Sequence, residues 1–123
     1  MQENNFLSLI KQNITVPAVK KDRKNGTCDM QAYYYQVEKN TLAYAVLKGI
    51  HGERKDIPAE RKYYICGGEA IFIIDGEKHE VAAGSIIEIP IHSTYDFHSV
   101  GNEPVRFFVD IGFQIDLDTI PSK

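Results

Sequence analysis

From Met30 to Phe113 the chain is a series of short apolar runs, each closed by turn-forming residues. No gap between them is long enough for a crossover helix. Residues 31–37 carry three consecutive tyrosines and a β-branched end, and a polar Glu38-Lys39-Asn40 turn leads into residues 42–47, so the pair reads as a hairpin. Residues 62–66 (KYYIC) and 70–74 (AIFII) flank Gly67-Gly68, and the tight-turn pair Asp75-Gly76 returns the chain into residues 78–81. Gly84 breaks the pattern before residues 85–89, and Pro90 ends that run because it has no amide hydrogen for a ladder. Residues 94–100, the turn Gly101-Asn102-Glu103-Pro104 and residues 105–113 complete the series. Strand-like runs spaced roughly 8–12 residues apart predict an all-β sandwich or barrel.

The 123 residues make one domain. Residues 28–117 are assigned to the barrel and 118–123 to a tail. In the N-terminal segment, 1–27, the spacing of Phe6, Leu7 and Ile10 predicts a short helix over 4–12, and the basic stretch 20–25 (KKDRKN) reads as a solvated loop. Fourteen Lys and Arg against seventeen Asp and Glu give a net charge of −3, which speaks against a nucleic-acid partner. No apolar run approaches the roughly 20 residues that cross a bilayer, and the N-terminus lacks the basic-then-apolar order of a signal peptide. The expectation is a cytoplasmic protein with no membrane partner. Cys28 and Cys66 are too few for a disulfide framework or a four-thiolate zinc site, and no histidine is placed to activate either thiol. The four histidines are scattered, with no HxH or HxxxH pair; His51 and His79 stand in polar contexts and read as exposed.

The middle of the chain resembles the cupin family, small jelly-roll barrels with two spaced motifs. The first motif is a glycine, five residues, HxH, three or four residues, Glu, six residues, Gly. Here Gly49 is followed by Lys55, Ile57, Arg61 and Gly68 at that spacing. The second motif falls on Gly84, Pro90, His92, Tyr95 and Ser99 without insertion, and His92 replaces the glycine of PxG. The resemblance covers residues 49–112 and implies a cupin jelly-roll β-barrel. The family also leads one to expect a homodimer, and the long edge of the N-terminal hairpin supplies a physical motive for pairing.

Metal-binding cupins take their ligands from two histidines, a glutamate and a further histidine. At those places this chain has Lys55, Ile57, Arg61 and Tyr95, two of them cationic, so the resemblance implies a barrel without the usual metal and with no cofactor. Residues two apart on a strand share a face. That alternation places Lys55, Ile57, Arg61, Tyr63 and Ile65 inside, with Tyr95, Phe97 and Ser99 on the facing strand. The first reading is a metal-independent cupin whose barrel binds a small anionic or sugar-like molecule through Arg61, Lys55, Tyr63, Tyr95, Phe97 and Ser99. A guanidinium suits a carboxylate or phosphate, and the aromatic walls suit an apolar or sugar face.

Three other readings stand beside it. Tyr95 and His92 form a candidate acid–base pair for a sugar or nucleotide-sugar isomerase or epimerase, as the family's metal-free members suggest. Glu88, His92 and His98 form a candidate non-standard metal set. Finally, Tyr95 and its neighbours can simply fill the barrel, leaving no cavity larger than a few waters.

Overall fold

A computed structural model describes residues 19–37 and 39–113. Nine strands follow one another: β1 (Val19–Asn25), β2 (Cys28–Val37), β3 (Asn40–Gly49), β4 (Arg61–Gly67), β5 (Glu69–Ile74), β6 (Glu77–Ala82), β7 (Ile86–Ile89), β8 (Tyr95–Ser99) and β9 (Val105–Ile111). All pairings are antiparallel. Six strands form one sheet in the order β1-β2-β3-β9-β4-β7, and three form the other in the order β6-β5-β8. This is the expected jelly-roll barrel, and no helix occurs among the described residues. The helix expected over 4–12 and the tail at 118–123 lie outside them.

The strands form where the alternation predicts because every second side chain leaves water. Tyr63 and Ile65 of β4, Phe72 of β5, Ile87 and Ile89 of β7, Tyr95 and Phe97 of β8 and Val105 and Phe107 of β9 pack into one buried cluster. Burying side chains of this size is worth about 1.5–3 kcal/mol each, so the row outweighs the weak preferences of single residues. On β6 the residues are exposed except Val81, as befits an edge strand with the sequence EKHEVA. The turn at Asp75-Gly76 has positive φ at both residues, 49° and 85°, the twist that a two-residue hairpin needs.

The hairpin is longer than the sequence suggests, pairing from Cys28↔Gly49 to Val37↔Asn40. Residues 20–25, expected as a solvated loop, instead belong to β1 and pair with β2 from Val19↔Tyr34 to Asn25↔Cys28. The charge run concealed a period-two pattern. Lys20, Asp22 and Lys24 alternate with Lys21 and Arg23, and the latter two turn towards the barrel interior. This strand also covers the hairpin edge that gave the motive for pairing.

Candidate functional site

The interior is not filled. A cavity of about 280 Å³ opens beneath β1, β2 and β3, which overturns the filled-barrel reading. Its apolar wall is Met30 and Ala32 of β2, Ala43 and Ala45 of β3, and Phe107, Val109 and Ile111 of β9. The room comes from the alanines: Ala32 sits directly opposite Ala45 and Ala45 opposite Phe107, so two adjacent inner positions carry only a methyl group. At a native packing density those rows would otherwise interdigitate with the facing sheet.

Four cations border the same space: Lys21 and Arg23 from β1, Arg54 from the connector between β3 and β4, and Arg61 from the start of β4. Among the described residues no Asp or Glu lines the cavity. The Nη2 of Arg23 donates to the His51 carbonyl at 2.5 Å, and the Nη1 of Arg61 donates to the Tyr95 hydroxyl at 3.0 Å. The Nε of each of these two arginines is buried without a hydrogen-bond partner among the described residues. A buried unpaired donor on a cation is costly, since it has lost its water and gained nothing.

The connector brings in two residues that strict alternation would not. Ile50 bridges His98 and Arg54 bridges Tyr95, so four steps on the connector face three on β8. Gly52, with φ at 107°, takes up the extra residue as a bulge. His51 and Arg54 therefore both face inward although they are three apart. The His51 amide donates to the Phe97 carbonyl, and its ring stacks on Phe97 with centroids 4.5 Å apart. Its Nδ1 lies 2.9 Å from the Gly52 carbonyl, which can only accept, so Nδ1 carries the proton and Nε2 the lone pair. Burial, reinforced by the Arg54, Arg23 and Arg61 charges, pushes the His51 pKa down to about 3. The imidazole is neutral at physiological pH.

Behind Arg61 runs a short polar chain. Its guanidinium lies over the Tyr95 ring, and the Tyr95 hydroxyl is 2.6 Å from that of Tyr63. Burial, with the neighbouring Tyr95, holds the Tyr63 phenol well above its usual pKa. Burial likewise raises Tyr34, another lining residue, against the opposing pull of the three arginines. Both phenols stay neutral and offer the cations no counter-charge.

Residues 58–112 match the family model of the cupin domain. Over that stretch, a little under half of the chain, the barrel is similar to a cupin domain. A curated relative, an uncharacterized protein of Methanocaldococcus jannaschii, is 35% identical over 52 residues, 42% of this chain and 42% of its own length. The aligned part thus spans about two fifths of that relative. Among solved structures, KdgF from Halomonas sp. superposes with a TM-score of 0.67 at 12% identity, covering 80% of this chain and 90% of that one. The Schizosaccharomyces pombe Cnp3 cupin domain gives 0.65 at 9% identity, covering 80% and 88%. At these identities the likeness is one of fold.

Against the cupin pattern, the four metal positions do not fit a divalent ion. Lys55 faces solvent, Ile57 is a buried hydrocarbon, and the Arg61 guanidinium is bonded to the Tyr95 hydroxyl. A positive group already stands where the family places a cation, and it would repel another. The alternative set fares no better. Glu88 lies near Lys62, His92 is bonded to Asp56, and among the described residues no three His, Cys, Asp or Glu side chains meet as a metal requires.

Of the residues expected to bind a ligand, Arg61 and Tyr63 line the cavity, and Tyr95 stands directly behind them through its two hydrogen bonds. Phe97 is fully buried between the rings of Phe72 and His51 and serves as core. Ser99 is half-buried, and its hydroxyl accepts the Gly49 amide at 2.8 Å, tying β8 to the end of β3. Lys55, expected inside, has a side chain 77% exposed and lies 3.7 Å from Glu53. Alternation fails there because the connector is not a continuous strand and Asp56 adopts φ of 48°.

His92 is 71% exposed, bonded to Asp56 at 2.7 Å, and absent from the cavity wall, so the His92–Tyr95 mechanism loses its base. Its φ of 69° shows that the backbone still has the shape for which the family uses glycine. His51, expected exposed, is buried and lines the cavity. With Lys21, Arg23 and Arg54 it makes up the polar part that sequence reading missed. The signals were the period-two charges of 20–24 and the glycine that follows His51.

Proposed function

We propose that this cupin domain binds a small anionic molecule in its barrel without a metal ion. One observation carries the reading: four cations surround a cavity of about 280 Å³ that no carboxylate lines among the described residues, with two guanidinium Nε groups buried and unpaired. Like charges confined in a low-dielectric space repel strongly, and an anion relieves the repulsion. The volume lies just below the usual range for ligand pockets, about 300–1,000 Å³, so the ligand is small. No neighbour's substrate transfers to this chain, and neither His92 nor Tyr95, the pair of the isomerase reading, lines the cavity.

The test is a thermal-shift and calorimetric screen of small carboxylates, phosphates and sulfate on wild type and Arg61→Ala. Ligand-induced stabilisation should appear in the wild type and fall about tenfold or more in affinity in the variant, as expected for losing a charged hydrogen-bonding partner. An equal response in the two proteins would place the anion elsewhere.

A further inference from the structure

The cations of the cavity say only that the ligand is anionic; the remainder of the lining says what the rest of it is made of. We infer that the ligand is a small carboxylate with an apolar body. Its carboxylate pairs with the guanidinium charges of Arg23 and Arg61, and its hydrocarbon lies against Ala32, Ala43 and Ala45. The inference rests on the anion-binding reading above and goes beyond it in naming the chemical class.

The argument is one of hydrogen-bond supply. A sugar or polyol brings several hydroxyls, each a donor that needs an acceptor once it leaves water. Among the described lining residues there is no Asp, Glu, Asn, Gln, Ser or Thr. The side-chain acceptors are the Tyr34 and Tyr63 hydroxyls and the His51 ring, and the Tyr63 hydroxyl is already engaged with Tyr95. A polyhydroxylated ligand would therefore bury donors without partners, whereas an alkyl or aryl group would lose nothing and gain apolar contact.

The donors, by contrast, are in excess and mostly cationic. Arg61 spends Nη1 on Tyr95 and Arg23 spends Nη2 on the His51 carbonyl, while the cavity both residues line offers no carboxylate among the described residues to pair with either charge. The two halves of the wall come from different strands. Cations stand on β1, the connector and β4, and the apolar face on β2, β3 and β9. A ligand with one charged end and one greasy end satisfies both at once. Its length is limited by a space equal to roughly nine waters at about 30 Å³ each.

The experiment is calorimetric titration of the full chain with a matched set: benzoate, isovalerate, acetate, glycerate, benzamide, phenyl phosphate and glucose 6-phosphate. Benzoate or isovalerate should bind about tenfold or more tighter than acetate and glycerate, as burial of a few apolar carbons supplies. Benzamide, the neutral isostere, should not bind measurably. In Ala45→Leu the added side chain fills the space. The benzoate-to-acetate affinity ratio should then fall about fivefold or more, with Ala43→Val as the milder second variant if Ala45→Leu does not fold. Glycerate or glucose 6-phosphate binding as tightly as benzoate would overturn the apolar-body assignment while leaving an anion site in place. Phenyl phosphate binding tighter than benzoate would overturn the carboxylate in favour of a phosphate head. Benzamide matching benzoate, or no binding of any anion, would overturn the anion-binding reading itself.

Discussion

At the scale of single residues, His51 shows how much a neighbourhood outweighs a composition. The same imidazole that reads as a polar surface group in IHGERK is sealed against Phe97 and surrounded by guanidinium charges. Its folded pKa of about 3 lies below the ordinary value of 6.5, so the unfolded chain takes up a proton that the folded chain does not. The stabilisation is complete above about pH 6.5 and is lost as the pH falls towards 3, at a slope on the order of 1 kcal/mol per pH unit. Denaturant unfolding at pH 7 and pH 4.5 should show a steeper acid loss in wild type than in His51→Gln. Equal losses would mean that the imidazole is not held neutral in the folded protein. Arg61 and Tyr63 were legible from alternation on a strand. His51 and Arg54 were not, because a one-residue bulge in a connector leaves no periodic trace in sequence.

At the scale of elements, the corners are as constrained as the strands. Gly49 ends β3 with φ at 98°, and a Cβ there would run into the Thr27 carbonyl oxygen in the β1–β2 turn. That carbonyl accepts the Ile50 amide at 3.0 Å, so the turn cannot simply step aside. Gly49→Ala should lower stability by at least about 2 kcal/mol, read as a lower urea midpoint at unchanged slope. A midpoint equal to wild type would show that the turn yields. The strands from β2 to β9, β6 apart, were readable because each buries one face, which writes a period of two into the sequence. β1 has that period too, but in charges: Lys21 and Arg23 face the cationic cavity instead of the core. A hydrophobicity pattern has no means of marking such a strand.

At the scale of the molecule, the six-stranded sheet ends at β1 on one side and at β7 on the other. The lysines of β1 now form the edge next to the hairpin, and charged edges discourage strand addition. A homodimer stays a proposal from the family resemblance, with its original physical motive removed. Light scattering at micromolar concentration should give twice 13.9 kDa, and 13.9 kDa would end the proposal. Among the described residues no helix is long and apolar enough to cross a membrane.

The division of the cavity wall between strands has a consequence for how such a barrel can change. A single substitution at Ala32, Ala43 or Ala45 alters the shape of the space without touching a charge. A substitution at Lys21, Arg23 or Arg54 alters the charge and leaves the apolar wall of β2, β3 and β9 as it is. On the proposed reading, selectivity for ligand size and strength of attraction thus sit on separate genetic dials, and the positive charge is written into the chain itself. A lineage carrying this barrel can retune what it holds one codon at a time.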